Sequence, residues 1–334
     1  MGVQTHGSSP APVRRVTPRV TRRASHRARL RASLASLALL ACCHRGGVPL
    51  PALTAAAAGD TTGLVGRGEY IVRTVAACGG CPAGGAAPDP DGPLSGGTTF
   101  TDWRLGTIRA SNLTPDSATG LGAWSEAEIV RALRNGEARD GRLLAPVMPY
   151  EWLHAMSDRD ALAVARYLKS LAAVPNDVRQ RPNVVFGLGT LFVLGPQRGT
   201  TASAPPAGPT AAYGAYLAQH AGLCADCHTP RHGLMSTPDR RRLFAGDAHP
   251  PKDFPQNPAN LTPDSATGLG RWTEADFLRT IRTGVDPKGD TLHPFMPWHE
   301  NRRMSDDDLR AIYRFLRTLP PAANRVPRRA TTTR

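Results

Sequence analysis

The sequence is poor in aromatic residues and in charge, and its body contains no apolar run long enough to cross a membrane. Aromatic side chains make up 6% of the 334 residues and charged ones 20%, whereas glycine and proline number 33 and 31. This composition favours small, loop-rich domains built around a cofactor over one large apolar core. The length fits two or three such domains.

Positive charge is concentrated at the termini, so the formal net charge of +14 does not indicate nucleic-acid binding. Residues 1–45 hold nine arginines and no acidic residue, which leaves +5 for the rest, and the basic tail at 325–334 holds four more arginines. No basic stripe is interleaved with aromatic residues, and charged tails are usually solvated or serve targeting. We therefore expect no nucleic-acid partner.

The N-terminal stretch, residues 1–58, has the organisation of an export segment followed by a linker. An arginine-rich part at 14–31 precedes an apolar run at 32–41, which is too short to span a bilayer. The run leads into L-L-A-C, which resembles a lipoprotein cleavage box and would make Cys42 a lipidated N-terminus. Cleavage after the alanines at 55–58 is the alternative. The segment predicts a bacterial protein exported to the periplasm or to the periplasmic face of the inner membrane.

The six cysteines occur in three close pairs, which is not the pattern of a disulfide framework in a long secreted chain. One pair belongs to C-A-D-C-H at 224–228, the C-x-x-C-H pattern of covalent haem attachment. Two thiols on one helical turn can reach both vinyl groups of one porphyrin, and the next residue offers an imidazole to the iron. We predict that Cys224 and Cys227 hold haem c and that His228 ligates the iron; a zinc half-site is the alternative.

An internal duplication divides the chain into two copies of one unit. Residues 112–122 and 260–270 both read NLTPDSATGLG, and the same offset matches Pro-x-Met-Pro at 146–149 with 294–297. We place the domain boundaries as follows: first copy 62–176, linker 177–208, second copy 209–324. The linker holds a glycine-rich apolar stretch and then a flexible Thr/Ala/Pro composition.

Each copy reads as a set of helices joined by long irregular loops. Gly136 and Gly284 are expected to end the helices that follow the repeated eleven residues. No apolar run alternates over a length that would form a sheet, so the predicted fold is all-α. Helix starts are predicted at Ser125, Thr273, Ser157 and Ser305.

A methionine between prolines is the candidate for the second axial ligand. Met296 lies 68 residues after His228, and the prolines restrict its loop, which helps to hold the thioether at a fixed distance from iron. Ligation by His and Met raises the reduction potential. The alternatives are a core-filling role for Met296 and ligation by His293 or His299.

The first copy lacks the histidine of the haem motif. It reads C-G-G-C-P at 78–82, so a proline without a lone pair stands at the position of His228. We predict that this copy binds no haem and that Cys78 and Cys81 form a local disulfide. A second haem, held by these cysteines with Met148 or His154 near the iron, and a sequence error at Pro82 are the alternatives. The expected cofactor is one haem c, and a second haem is expected only under these alternatives.

The motif series of the second copy resembles the cytochrome c subunits of membrane-associated bacterial dehydrogenases, such as those for alcohol, aldehyde and gluconate. The series comprises CHTPR, NLTPDSATGLGRWTEADF, LHPFMPW and MSDDDLRAIYRFLRTLPPAAN. The resemblance implies two tandem class I cytochrome c domains that pass electrons from a dehydrogenase subunit to a quinone pool, an oxidase or another cytochrome. It also implies that these domains do not themselves catalyse the reaction of a substrate.

Three further expectations accompany this resemblance. Many such subunits have three haem domains and a C-terminal anchor, so membrane association of this chain is expected through an N-terminal lipid or signal anchor. A haem enzyme, such as a thiosulfate- or peroxide-type di-haem oxidoreductase, is an alternative function. A mono-haem carrier with a vestigial docking domain is another.

Overall fold

The computed structural model describes residues 63–80, 91–102, 105–182, 184, 186–188, 195–199, 203–233, 236–250 and 256–327. The export segment, Cys81, Pro82 and the end of the basic tail lie outside these ranges, and with them the predictions made there. The α-helices are α1 Leu64–Tyr70, α2 Glu126–Asn135, α3 Tyr150–Leu153, α4 Asp158–Ser170, α5 Ala211–Tyr216, α6 Cys224–His228, α7 Glu274–Thr283, α8 Trp298–Asn301 and α9 Asp306–Thr318. Two π-helical turns, π1 Ile71–Val75 and π2 Leu217–Ala221, continue α1 and α5.

In each copy the first helix packs across the last one, α1 on α4 and α5 on α9. Glycine makes this close approach possible. A Cβ on Gly68 would lie 2.0 Å from the Ala163 carbonyl oxygen, and one on Gly214 would lie 1.9 Å from the Ala311 carbonyl oxygen. Both distances are far inside van der Waals contact, so any larger residue would force the helices apart.

The predicted helix boundaries are confirmed at both ends. Ser125 and Thr273 each form a capping box with the residue three positions on, and Ser157 and Ser305 cap α4 and α9. These side-chain oxygens accept backbone N–H groups that the first helical turn leaves without partners. The helices α2 and α7 end at left-handed glycines, Gly136 and Gly284.

The repeated eleven residues form a clasp on the chain that follows the last helix of each copy. Asn112 Nδ2 donates to Thr119 Oγ1 at 3.1 Å and to the Val174 carbonyl at 2.8 Å. In the second copy Asn260 Nδ2 makes the corresponding bonds, at 3.0 and 2.7 Å, to Thr267 Oγ1 and the Ala322 carbonyl. Because both asparagines are buried, these bonds satisfy groups that water cannot reach. The identity of the two stretches therefore has a structural reason.

The prediction of a mostly helical fold is confirmed, but the expectation that no sheet forms is wrong. A three-stranded antiparallel sheet joins β1 Thr99–Asp102, β2 Gly106–Arg109 and β3 Arg181–Pro182. The hairpin β4 Arg231–His232 and β5 Thr237–Pro238 follows the haem motif. These strands have two to four residues, too few for an alternating pattern to stand out in the sequence.

The two copies contact each other through reciprocal interactions. Tyr216 Oη, from the second copy, donates to Asp160 Oδ2 of the first at 2.7 Å, and the corresponding Tyr70 Oη donates to Asp308 Oδ2 at 2.6 Å. Each tyrosine oxygen also accepts the backbone N–H of the serine that caps the other copy's last helix. The short helices α3 and α8 make the same kind of contact between the copies. Helix α3 of the first copy packs on π2 of the second, and α8 of the second packs on π1 of the first.

Candidate haem site

The haem motif begins after an unusual stretch of backbone. The π2 turn closes with the Gly222 N–H donating to the Leu217 carbonyl at 2.6 Å, and Leu223 then adopts a left-handed conformation with φ of 59°. That conformation is uncommon for a residue with a branched side chain and marks a position that its surroundings enforce. It redirects the chain so that α6 starts at Cys224.

His228 is held at both its ring and its backbone. Its Nδ1 lies 2.8 Å from the Ala259 carbonyl oxygen, and its own carbonyl accepts the Gly246 N–H at 2.8 Å. Because a carbonyl oxygen can only accept, Nδ1 must carry the proton, and Nε2 keeps its lone pair. Burial lowers the pKa of His228, which favours this neutral form. Such an outer hydrogen bond orients a metal-ligating imidazole.

Cys224 and Met296 both lie against the second copy's apolar core. Both are partly buried and pack against the same apolar cluster, which includes Phe244, Phe277 and Phe315. Burial raises the pKa of Cys224 to about 11, so the thiol is protonated near neutral pH.

The two histidines that flank Met296 have other contacts. His293 Nδ1 accepts the Phe295 backbone N–H at 3.1 Å, and the His299 ring stacks on Trp298 with centroids 3.6 Å apart. Met304, just before α9, is buried in the core of the second copy. These contacts favour Met296 over its neighbours as the axial-ligand candidate, which remains a prediction.

The first copy repeats the backbone of this site up to its first cysteine. Ala77, at the position of Leu223, is also left-handed, with φ of 49°, and a 3₁₀ turn at Cys78–Gly80 follows. Cys78 and Met148 both pack against the first copy's own apolar cluster. His154, the other ligand candidate, directs Nδ1 to the Arg134 carbonyl at 3.1 Å. Cys81 and Pro82 lie outside the described residues.

Asp226, between the two haem cysteines, belongs to a charged cluster that the sequence reading missed. Burial raises its pKa, and Arg231, which forms an ion pair with it, partly opposes that rise. Arg231 also lies 3.5 Å from Glu151 Oε1 of the first copy. The signal was present as a charged residue inside C-A-D-C-H, but nothing in the sequence indicated a partner from the other copy.

The residues present fit a covalently bound haem. Cys224, Cys227 and His228 share one short helix, and the Nε2 lone pair of His228 is available. Close to Met296 along the chain, the indole N–H of Trp298 is buried without an acceptor among the described residues. A buried donor of this kind is costly unless something accepts from it, and the carboxylate groups of a haem could do so. The described residues hold no group of three or more His, Cys, Asp or Glu that could bind a metal ion.

An open cleft lies beside the site and is lined by both copies. Its volume is about 580 Å³, and it is bordered by Glu151, His232, Arg240 and Arg241 among others. Arg240, Arg241 and Arg242 are exposed and make no ion pair with any carboxylate in the described part of the chain. Arg240 still acts electrostatically on the Glu151 carboxylate at the border of the cleft, so the positive charge of this turn is partly balanced there.

The second copy thus combines a helix crossing at a glycine with a C-x-x-C-H turn and a methionine that packs against the same apolar core. The chain is a homologue of the cytochrome c subunits of bacterial dehydrogenases. That subunit of gluconate 2-dehydrogenase from Pantoea cypripedii is 32% identical over 273 residues, which cover 77% of this chain and 59% of the relative. The cytochrome c subunit of alcohol dehydrogenase (quinone) from Gluconobacter oxydans is 30% identical, covering 77% and 55%.

A shorter relative matches over most of its own length. A diheme cytochrome c-type protein from Cereibacter sphaeroides is 29% identical over 272 residues, which cover 78% of this chain and 87% of the relative. The chain spans a little over half the length of the two dehydrogenase subunits. No protein-family model matches it. None of the helices in the described ranges is long and apolar enough to cross a membrane.

Proposed function

We propose that this chain is an electron-transfer cytochrome that accepts electrons from a dehydrogenase subunit and passes them to a quinone pool, an oxidase or another cytochrome. The observation that carries the proposal is the His228 ring, whose Nδ1 proton is fixed on the Ala259 carbonyl while Nε2 keeps its lone pair. Haem bound beside it would supply one-electron chemistry between ferric and ferrous iron. The names of the relatives support this role.

Four residues of the second copy would hold the haem. Cys224 and Cys227 would form the two thioether bonds, and His228 and Met296 would ligate the iron. The carbonyl of Ala259 keeps the His228 imidazole in one tautomer and one orientation, which makes Nε2 a better electron-pair donor to iron. A thioether as second ligand favours the reduced state and leaves no open position for a substrate.

We further propose that the first copy carries no haem and serves as a structural partner. Pro82 cannot ligate iron, and Cys78, Cys81 and Met148 then have packing roles, with the cysteines as a local disulfide. The reciprocal tyrosine contacts and the exchanged short helices support this role, because they give the first copy a place in the second copy's core. A mono-haem carrier with a vestigial first copy is thus the favoured form of the function.

The test is the reduction of the haem in membranes from cells that produce the chain. Gluconate, ethanol, fructose and nicotinate, chosen from the names of the relatives, are added one at a time, and the reduced-minus-oxidised spectrum is recorded. We expect a low-spin spectrum and reduction by at least one substrate. Reduction by ascorbate alone would contradict a dehydrogenase donor. A high-spin spectrum with turnover of peroxide or thiosulfate would favour the haem enzyme instead.

We also propose a periplasmic location, supported by the export-type segment at 1–58 and by the need to attach haem c outside the cytoplasm. Attachment to the membrane would rest on a lipid at Cys42 or on an uncleaved signal. Labelling with radioactive palmitate separates the two. A label that disappears in Cys42→Ala supports the lipid, and a membrane-bound but unlabelled protein supports the signal anchor.

A further inference from the structure

Trp152 belongs to the first copy but is buried in the core of the second. Its side chain has no exposed surface, and it joins the apolar cluster that contains Tyr216, Leu217 and Phe244. Its carbonyl oxygen accepts a hydrogen bond from His220 Nδ1 at 3.0 Å. His220 lies in π2, the turn that leads directly into the haem motif, so Trp152 is tied to the backbone that positions Cys224.

The outer face of the Trp152 ring is covered by a cation. The guanidinium carbon of Arg240 lies 4.4 Å from the ring centroid, within the range of a cation–π interaction. Arg240 comes from the 3₁₀ turn Arg240–Arg242 that follows the β4–β5 hairpin. The indole is therefore enclosed by second-copy residues that both precede and follow the haem motif.

The apolar cluster that encloses the indole also includes part of the haem motif. Ala225, the first of the two residues between the haem cysteines, belongs to this cluster and has no exposed surface, and Cys224 packs against it. Trp152 is therefore part of the packing that keeps water away from the C-A-D-C-H turn.

We propose that Trp152 is a positioning residue for the second copy's haem site, supplied by the first copy, which excludes water from the C-A-D-C-H turn and raises the reduction potential. The inference rests on the proposed function, namely that Cys224, Cys227 and His228 bind haem.

The direction follows from charge. Oxidation adds a positive charge at the iron, and water admitted to the site stabilises that charge. Trp152 itself carries no charge, so solvation of the iron charge decides the sign. Loss of the indole therefore lowers the potential.

The experiment compares midpoint potentials of purified holoprotein, obtained by spectroelectrochemical titration, in wild type, Trp152→Phe and Trp152→Ala. We expect Trp152→Ala to shift the oxidation equilibrium at least threefold toward the oxidised form. Trp152→Phe keeps an aromatic ring under Arg240 but fills less of the buried space, so it should fall between wild type and Trp152→Ala. It also keeps the inference testable if the alanine variant fails to fold or to take up haem.

The matched control is Leu153→Ala. Leu153 is the next residue on α3 and is equally buried, but it packs in the first copy's own core. It should leave the potential within the error of wild type. Haem-loaded Trp152 variants with an unchanged potential, or an equal shift in Leu153→Ala, would overturn the inference while leaving the proposed function intact. A wild-type protein without haem would contradict the proposed function, and this inference with it.

Discussion

Replacing Tyr216 by phenylalanine removes one hydroxyl from the contact between the two copies. That hydroxyl donates to Asp160 at 2.7 Å and accepts the backbone N–H of Ser157 at 3.2 Å, in a buried position. A hydrogen bond to a charged group contributes about 1.5–3 kcal/mol, and a buried N–H without an acceptor costs about 1–3 kcal/mol. Asp160 keeps its two bonds from Arg67, which limits the loss. We expect the free energy of unfolding to fall by about 2–3 kcal/mol.

The assay is urea denaturation of the holoprotein, followed by far-ultraviolet circular dichroism, with an unchanged dependence on denaturant. Tyr213→Phe is the matched control, because Tyr213 lies on the same helix, is equally buried and stacks on Tyr216. Its hydroxyl has one bond, from Arg67 at 3.2 Å. Because Arg67 is partly exposed to water and keeps its bonds to Asp160, and because no backbone N–H loses its acceptor, the expected loss is smaller, about 1 kcal/mol. A Tyr216→Phe variant no less stable than Tyr213→Phe would refute the reasoning about this interface.

Three other outcomes are expected. Met296→Ala should abolish the weak absorption band at the red end of the oxidised spectrum and lower the reduction potential by about 60 mV or more, which is a tenfold change in the one-electron equilibrium. The control Met148→Ala should change neither the band nor the potential. An unaltered spectrum in Met296→Ala would exclude Met296 as a ligand. Arg241→Glu should slow oxidation of the reduced protein by anionic ferricyanide about threefold or more at low salt, and it should speed oxidation by a cationic cobalt complex. The control Arg271→Glu, at an exposed arginine elsewhere, should change both rates less. Equal effects of the two substitutions would contradict a local basic surface. Burial raises the pKa of Tyr216 above its usual value of about 10. The contribution of its neutral hydroxyl to stability is therefore present below that pH and is lost as the pH rises above it. The free energy of unfolding should fall less between pH 9 and pH 11 in Tyr216→Phe than in wild type, and equal decreases would assign the alkaline instability to other groups.

The sequence predicted those features that depend on local chemistry. The capping residues Ser125 and Thr273 and the left-handed Gly136 and Gly284 appear where expected, because caps and glycine ends are decided by a few neighbouring residues. The resemblance to dehydrogenase cytochrome c subunits is confirmed by the relatives. The ligand assignments to His228 and Met296 remain predictions that the geometry supports.

The features that the sequence did not reveal depend on distant contacts. A tyrosine repeated at 70 and 216 suits a bond within its own copy as well as the bond across copies that the structure shows. The burial of Trp152 in the other copy has no counterpart in the duplication, since Glu300 stands at the equivalent position. The left-handed Ala77 and Leu223 gave no signal because neither residue type favours that conformation.

The central claim is that one haem c is bound, on the second copy. The measurement that tests it most directly is a pyridine haemochrome count per chain, combined with mass spectrometry of the peptides that contain Cys78 and Cys224. We predict one haem per chain, attached to the peptide with Cys224 and Cys227. A haem-free protein, or haem on the Cys78 peptide, would contradict the account.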